Sequence, residues 1–547
     1  MVQLTCYGGV GQIGGNQFLL EDGDTRLLLD FGQPFGIRGR FYEEYLKPRS
    51  SFGLLDPLFM GLVPPIRGLY RPDLEPPAID LWNELEGSPA YRDLRETGID
   101  GVILSHAHLD HTGYLSFIRW DIPVFTGALT AFIAKAVQDS GVAAFESEVV
   151  YAVPRETGED GILHSSNPRK VPALQRPFRI FDCDRLTEAS NRFWQDTPGA
   201  RDLADAPICA AGNIGGLEVR SFPVDHSIPG ARAFAFKTSA GWVAYTGDLR
   251  LHGLTANATT ARFMDELKSL KPIALICEGT RAALGREGRP NHTEHEVRER
   301  ALQAVKQAQG LVIADFGPRN MERLLIFAEI AREVGRALVV LPKDAYLLEA
   351  ARLADPDIPT VMQIPGALIY DKPKGSMLTW ERALRERNAG RLVSPYEVRH
   401  NQDEYILCFS FFDLNELPTI RPQPGSLYLY SSCEAFNEDI QCDFGRLRAW
   451  IEHFQMRAVG LPLKELDWNV PPGQEGLHAS GHADPKSLIT LVQEIAPSIL
   501  IPVHTEGGIE FFREQLKGSG VAVVAPEYGR PITLDRCGFE NRCGLRS

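Results

Sequence analysis

The sequence predicts an α/β protein in which a β-rich part encloses an inserted unit of alternating helices and strands. The β-rich part opens with three apolar segments, VQLTCYG, NQFLLED and TRLLLDFG, separated by glycine-containing turns. Two later segments, LEVRSFPVDHS and RAFAFKTSAGWVAYTGD, alternate as antiparallel strands do. With 547 residues the chain exceeds one typical core, so we expect two domains or one large domain with insertions.

The inserted unit begins after about residue 255, where the pattern changes. HTEHEVRERALQAVKQAQG predicts an amphipathic helix with Thr293 as its N-cap. LVIADF, NMERLLIFAEIAREVG and ALVVLP then predict strand, helix and strand, an alternation typical of a parallel sheet that continues to GSLYLYSS. The chain returns to a helix, DPKSLITLVQEIAP, and a strand, SILIPVH. Two stretches of mixed composition, 34–98 and 150–215, predict insertions.

Composition limits the class of protein. The chain is 44% hydrophobic and 23% charged, as in ordinary globular proteins. It contains no apolar run long enough to cross a bilayer, and its first residues lack a secretion signal. Nine cysteines without a C-x-x-C pair favour free thiols, so we expect a cytoplasmic protein that does not associate with membranes. The net charge of −14 argues weakly against a nucleic-acid partner, although a local basic groove would be hidden in this sum.

The segment YGGVGQIGGNQ contains G-x-G-x-x-G at Gly9, Gly11 and Gly14, the pattern of a dinucleotide-binding turn. That turn must open a helix, whose N-terminus holds the pyrophosphate. Here the residues that follow alternate with a period of two, which predicts a hairpin. We therefore interpret these glycines as a turn that allows close backbone approach rather than as a nucleotide site.

A metal site is the strongest functional signal. SHAHLDHTG places His106, His108, Asp110 and His111 within six residues, directly after a short apolar strand. Imidazole and carboxylate groups together suit zinc, manganese or iron. Four ligands are too few for two ions, and His226, Asp248 and His504, each near a strand end, could supply the rest. Any one of these histidines alone would more plausibly be a hydrogen-bonded structural residue.

These residues resemble the metallo-β-lactamase fold, an αββα sandwich with a binuclear site at one edge. The resemblance implies one ion held by His106, His108 and His226, and a second held by Asp110, His111 and His504. Asp248 would bridge the two ions, which we expect to be zinc or manganese. Asp30, at the end of LLLDFG, would support the ligand loop.

The long separation between Asp248 and His504 resembles the β-CASP branch of that fold, whose members are nucleases. Glu278 in ALICEGTR, His482 in HASGHAD and His504 in PVHTE match its motifs, and the glycine-rich start, HSIP and SGH…PVH resemble the bacterial ribonuclease J group. The resemblance implies a metallo-β-lactamase domain at 1–254, a β-CASP domain at 255–432, and a completing part at 433–547.

The sequence departs from that group at Ala435-Phe436 and in DFGPRNMERL, so endonuclease or exonuclease mode, polarity and preference for the RNA 5′ end stay open. The group usually carries a further C-terminal domain, and whether this chain forms a homodimer also stays open.

The resemblance implies a two-metal phosphodiesterase that hydrolyses single-stranded RNA, with a hydroxide between the ions attacking phosphorus. His482, assisted by Glu278, would protonate the leaving oxygen, and Asp110 would serve as ligand and catalytic residue. His478, Ser480, Arg319 and Ser431 are candidate substrate-binding residues; a turn or a solvated surface is the alternative for each. Three other functions remain open: a DNA nuclease, a small-molecule hydrolase of the same fold, and an inactive scaffold, although all seven ligands are present.

Overall fold

Two mixed sheets form the centre of the β-rich part in the computed structural model. The structure describes residues 1–535 except 44, 78, 87–94, 97, 143, 200, 205–206, 284–289, 433–443 and 464–469. The first sheet has eight strands, in spatial order Cys209–Ala210, Phe178–Ile180, Val124–Thr126, Gly101–Ile103, Thr25–Phe31, Gln17–Asp22, Val2–Cys6 and Pro531–Thr533. The second has six, in the order Glu218–Pro223, Arg232–Thr238, Gly241–Tyr245, Ala274–Glu278, Ile499–Val503 and Ala522–Val523.

The two sheets pack face to face. Leu27 and Leu29 on one face of strand Thr25–Phe31 share a core with Phe234 and Ile276 of the second sheet. Leu28, from the opposite face of the same strand, packs toward helix Ala128–Ser140, as the period-two alternation of a strand requires. The outer face of the second sheet is covered by helices Thr260–Leu270, Pro485–Ile495 and Gly508–Gln515. These helix, sheet, sheet and helix layers confirm the predicted αββα sandwich.

A third sheet of seven parallel strands forms the inserted unit. Its spatial order is Leu392–Val393, Leu368–Tyr370, Ala337–Val340, Tyr405–Cys408, Val312–Asp315, Leu427–Tyr430 and Arg457–Val459. Helices of this unit are Glu294–Lys306, Met321–Val334, Pro342–Ala354, Thr379–Arg387, Pro395–His400, Leu417–Ile420 and Phe444–His453. One core joins it to the sandwich, because Ala107, Ile133 and Ile228 pack in the same cluster as Phe327 and Leu348.

Local sequence signals account for several of these elements. The glycine segment is a turn between strands Val2–Cys6 and Gln17–Asp22, which pair antiparallel, as expected. The hairpin predicted for the residues that follow it is confirmed, because Gln17–Asp22 also pairs antiparallel with Thr25–Phe31. Thr293 caps helix Glu294–Lys306 in a capping box with Glu296, as predicted.

The two mixed stretches contain mainly short elements. The first holds helices Phe35–Phe41, Leu55–Phe59 and Leu81–Glu86, and a two-stranded pair Ile66–Arg67 and Arg95–Glu96. The second holds helix Glu188–Gln195 and the strands Tyr151–Ala152, Arg155–Thr157, Leu163–Ser165, Ala173–Gln175 and Leu203–Ala204, and it also supplies strands Phe178–Ile180 and Cys209–Ala210 of the first sheet. Within the described ranges, no helix is long and apolar enough to cross a membrane.

Strand pairing bears on where the inserted unit begins and ends. Strand Ala274–Glu278 pairs within the second sheet of the sandwich, and strand Arg457–Val459 pairs within the third sheet. We therefore propose that both expected boundaries, at 254/255 and 432/433, lie further along the chain, after the strand that ends at Glu278 and after Val459.

A buried acid lies at the carboxyl end of the third sheet. Asp315 ends strand Val312–Asp315, where the Tyr428 hydroxyl donates to its carboxylate and its backbone carbonyl accepts from Ser431 N at 2.7 Å. Burial raises the pKa of the Asp315 carboxyl to about 7. Between its ordinary pKa and that value the folded chain holds a proton that the unfolded chain has lost, so this group reduces stability as the pH rises.

We expect the substitution Asp315→Asn to remove this loss, because the amide cannot ionise. The difference in melting temperature, variant minus wild type, should be larger at pH 7.5 than at pH 5. Each unit by which the folded-state pKa exceeds the ordinary pKa corresponds to about 1.4 kcal/mol of stability. Differential scanning calorimetry at the two pH values measures it, with exposed Asp357→Asn as the control. Equal relative melting temperatures at both pH values would contradict the expectation.

Candidate metal centre

The seven predicted ligands converge at one edge of the sandwich because each follows the end of a strand. The loop from His106 to His111 follows strand Gly101–Ile103 and turns through the short helix Leu109–Thr112. His226 follows Glu218–Pro223, Asp248 follows Gly241–Tyr245, and His504 follows Ile499–Val503. All seven side chains are buried.

Three of them form a first group. His108 Nδ1 lies 3.2 Å from His106 Nε2 and 3.2 Å from His226 Nε2. The three ring nitrogens therefore face one another across a gap that could hold one ion. Three imidazoles around one point are typical of a zinc site that keeps a further position open.

Asp110, His111, Asp248 and His504 form a second group. Asp110 Oδ2 is 3.0 Å from His504 Nε2, and Asp248 Oδ2 is 3.0 Å from His111 Nε2. Asp248 Oδ2 also lies 3.8 Å from His106 Nε2 of the first group. Its carboxylate therefore stands between the two groups.

The donor atoms fit divalent cations. Four of the histidines direct Nδ1 to an oxygen, which leaves Nε2 facing the centre: His106 to Ser105 Oγ at 3.0 Å, His111 to Asp30 Oδ2 at 2.7 Å, His226 to Gly481 O at 2.6 Å and His504 to Thr280 Oγ1 at 2.8 Å. Metal-ligating histidines are oriented in this way. Asp110 Oδ1 and Asp248 Oδ1 are buried and accept no hydrogen bond from any residue that the structure describes. A cation would satisfy both atoms.

Asp30 lies directly behind the ligand loop. Its carboxylate accepts from Ser105 N at 2.7 Å, from Ser105 Oγ at 2.7 Å, from the Tyr245 hydroxyl at 2.5 Å and from His111 Nδ1. The backbone φ of Asp30 is 54°, and that of His504 is 51°. Both lie in the left-handed region, which residues other than glycine rarely adopt. These contacts place Asp30 where it can fix both the loop and the His111 ring.

Burial and charge shift the pKa values of the site in two directions. Burial, reinforced by neighbouring imidazoles, holds the pKa of His106 and of His226 well below the ordinary value. Burial also opposes the charge on His111 and His504, but the nearby carboxylates outweigh it and raise the pKa of both imidazoles.

The two acids respond to the same neighbours. Burial alone would raise the pKa of Asp110 and of Asp248, but the imidazoles of His111 and His504 outweigh it. The pKa of Asp110 is therefore lowered, and that of Asp248 lies well below its ordinary value. Anionic carboxylates in this position favour a cation.

Glu278 and His482 lie together beside these groups. His482 Nδ1 is 3.2 Å from Glu278 Oε1, and the other carboxylate oxygen accepts from Thr280 N at 3.0 Å. The His482 ring lies 5.0 Å from that of His226 and 5.5 Å from that of His504, measured between ring centroids. His482 could also contribute to a metal group with His226 and Asp248, or with Glu278 and His504.

The candidate substrate-binding residues contact protein groups. Arg319 donates to Ala107 O at 2.9 Å, in the ligand loop. Ser431 Oγ accepts from Arg323 Nη1 at 2.7 Å and donates to Leu477 O at 2.8 Å. Arg323 itself is fully buried.

The other two candidates are similarly engaged. Ser480 Oγ accepts from His482 N at 3.1 Å. His478 Nδ1 lies 2.8 Å from Ser432 O and its Nε2 lies 2.7 Å from Gly460 O. Contact between substrate and any of these four residues stays a prediction. Ala435-Phe436 lies outside the residues that the structure describes.

The sequence did not single out several supporting groups. Ser105 and Tyr245 bind Asp30, and Thr280 binds His504. The glycine segment also reaches the site. His504 N donates to Gly9 O at 2.8 Å, and a Cβ on Gly14 would lie 3.0 Å from Asp110 Cβ. Only the glycine segment carried a signal, the expected close backbone approach.

Replacement of Asp30 should weaken metal binding without removing a ligand. We expect Asp30→Asn to lower the affinity for Zn²⁺ or Mn²⁺ by about 10- to 100-fold, because an amide cannot accept all four donors and no longer holds His111. Competition with a chromophoric chelator measures the affinity. Asp24→Asn, at an exposed turn between strands, is the matched control. Unchanged affinity in Asp30→Asn would contradict this role.

Comparisons with known proteins agree with this geometry. A family model described as "Zn-dependent metallo-hydrolase RNA specificity domain" matches residues 474–526, which include His482 and His504. The chain is 24% identical over 281 residues to ribonuclease J of Sinorhizobium meliloti, covering 50% of this chain and 39% of that protein. It is 22% identical over 520 residues to ribonuclease J of Mycobacterium tuberculosis, covering 92% of this chain and 68% of that protein. The chain thus spans less than half of the first relative and about two thirds of the second.

A solved structure shares the fold over nearly its whole length. It is the crystal structure of a protein of unknown function from Enterococcus faecalis V583, with a TM-score of 0.63 and 21% identity, covering 97% of this chain and 99% of that one. The sandwich, the inserted parallel sheet, the buried ligand set and the curated relatives lead to one assignment. The chain has the metallo-β-lactamase fold with an inserted β-CASP-type sheet, and it is similar to ribonuclease J.

Proposed function

We propose that this chain is a metal-dependent ribonuclease that hydrolyses phosphodiester bonds of single-stranded RNA. The observation that carries the proposal is the pair of buried ligand groups with Asp248 between them. The family model for an RNA specificity domain and the ribonuclease J relatives support RNA as the substrate.

In the proposed site, His106, His108 and His226 would hold one divalent ion, Asp110, His111 and His504 would hold a second, and Asp248 would contribute a carboxylate from its position between the two groups. Zinc or manganese suits this mixture of imidazole and carboxylate. Ions bound there supply Lewis acidity toward the phosphoryl oxygens and lower the pKa of water. The protein keeps Asp110 and Asp248 anionic and turns Nε2 of four histidines toward the centre.

His482 and Glu278 are the proposed proton-transfer pair. The Nδ1–H of His482 donates to Glu278 Oε1, so the carboxylate stabilises the imidazolium. The protonated ring can then deliver its Nε2 proton to the leaving ribose oxygen. Backbone N–H groups of Thr280 and, at 3.4 Å, Leu249 also donate to Glu278 and hold it in place. Glu278 thus serves as the group that orients the acid.

Cleavage of labelled polymers tests the reaction class. We expect purified protein with Mn²⁺ or Zn²⁺ to degrade 5′-labelled single-stranded RNA, and His108→Ala to lose the activity because the first group loses a ligand. Denaturing gels that compare RNA with DNA of the same sequence measure it, with exposed His164→Ala as the control. An inactive wild type, or full activity in His108→Ala, would refute the proposal. Cleavage of DNA alone would reassign the substrate.

Substitution of the proton-transfer pair should separate chemistry from metal binding. We expect His482→Ala to lower kcat by about 10²- to 10⁴-fold, because the leaving oxygen loses its acid. Glu278→Gln should give a smaller loss, since the acid remains but is less well stabilised. Elemental analysis should find the metal content of both variants equal to that of the wild type. Equal kcat in His482→Ala, or loss of bound metal in that variant, would exclude this role.

A further inference from the structure

Two fully buried arginines lie between the metal centre and the inserted unit. Arg250 follows Asp248 by two residues, and Arg323 lies in the first turn of helix Met321–Val334. Neither side chain is exposed. A buried guanidinium must be paired with acceptors, so the partners of these two arginines are part of the architecture of the site.

Arg250 is connected to two of the site segments besides its own. Its side chain binds the carboxylate of Asp225, the residue before His226, and its backbone N donates to Asp225 O at 2.8 Å. Its Nη1 donates to Ser480 O at 3.4 Å, in the loop that carries His482. That loop is further tied to the site by Gly481 O, which accepts from His226.

Glu294 joins Arg250 to Arg323. It is the first residue of helix Glu294–Lys306 and has no exposed surface. Its Oε1 accepts from Arg250 Nη1 at 2.9 Å and from Arg323 Nη2 at 2.9 Å, and its Oε2 accepts from Arg323 Nε at 2.9 Å. The contact with Arg323 is the paired fork geometry that fixes both direction and distance.

Arg323 carries the connection to the third sheet. Its Nη1 binds Ser431 Oγ at 2.7 Å and also Ser431 O, directly after strand Leu427–Tyr430. Glu322, the neighbour of Arg323, binds Arg250 as well. An unbroken chain of charged hydrogen bonds thus runs from the His226 loop, through Arg250, Glu294 and Arg323, to the carboxyl edge of the inserted sheet.

This bridge of Arg250, Glu294 and Arg323 contributes more to the relative position of the segments it joins than to net stability. Desolvating these charges offsets much of their attraction, whereas removing one partner leaves a buried charge uncompensated. Among the described ion pairs, Glu294 contacts both Arg250 and Arg323. Asp225 and Glu322 contact only Arg250. Loss of Glu294 would remove the carboxylate shared by Arg250 and Arg323 and leave Glu322 as the described ion-pair partner of Arg250 on the inserted unit.

We propose that Glu294 is a positioning residue that locks the inserted unit against the metal-ligand loops and so fixes the cleft in which a polymer binds. This inference rests on the proposed ribonuclease function for its kinetic test. Substrates that contact only the metal centre do not need the lock, whereas an RNA strand that contacts both units does.

The substitution Glu294→Gln tests the proposal by removing one charge at nearly constant volume. We expect KM for RNA to rise about tenfold while kcat for bis(p-nitrophenyl) phosphate changes less than about twofold. Glu296→Gln is the matched control: it lies on the same helix, is exposed, and glutamine retains the acceptor of the capping box. It should leave both substrates unchanged.

If kcat falls equally on RNA and on bis(p-nitrophenyl) phosphate while KM is unchanged, the variant has only lost folded protein, and the proposal is overturned. Unchanged kinetics on both substrates would also overturn it. If Glu294→Gln does not fold, Arg323→Lys serves instead, because lysine keeps the charge but cannot bind both Glu294 and Ser431. We expect the same pattern from it, with a smaller rise in KM.

Hydrogen–deuterium exchange provides a readout that does not depend on activity. In Glu294→Gln, exchange should rise in peptides on both sides of the bridge, those containing 225–227 and 480–483 and those containing 427–432. A rise on one side only, or none, would overturn the lock. If the wild type cleaves no RNA, the proposed function fails, and this exchange pattern alone then decides whether Glu294 joins the two units.

Discussion

The carboxylate of Asp248 is the point on which the candidate site depends. It is fully buried, its Oδ2 lies within 4 Å of imidazoles from both ligand groups, and its Oδ1 accepts nothing from the described residues. An anion in such a position needs compensating charge, and three imidazoles alone supply it only when protonated. The surrounding strands, each ending at the same edge, bring distant segments of the chain to this one carboxylate.

Much of the site can be predicted because the ligands are dense in the sequence and follow strand ends. The spacing of His106, His108, Asp110 and His111 is enough to indicate a metal site, and the resemblance carried by these motifs implies Asp30 as the support of their loop. The hairpin after the glycines and the Thr293 cap follow from local rules that involve neighbours in the chain. These features need only short-range information, or the general rule that strand ends meet at one edge.

The rest depends on partners that are distant in sequence. The sequence predicts that Ser431 and Ser480 bind substrate, but it does not indicate that Ser431 Oγ binds Arg323 or that Ser480 O binds Arg250. The sequence does not separate Glu294 from the other charged residues of its helix. Its burial results from packing between the two units, which a local pattern does not show. Likewise, the pairing of strand Arg457–Val459 with the third sheet is not readable from three residues. A local pattern states what a side chain can bind, but the fold decides which partner it meets.

The left-handed backbone at Asp30 and His504 has a thermodynamic consequence. Asp30 and His504 have positive φ values, which cost conformational energy in residues other than glycine. Both lie beside buried carboxylates and imidazoles. A cation bound between the ligand groups would compensate the charge of the crowded carboxylates, and binding of this kind shifts the folding equilibrium toward the folded chain by mass action. The stability of the folded chain would then depend on the concentration of the metal ion, so that scarcity of the ion would lower the folded fraction as well as the activity.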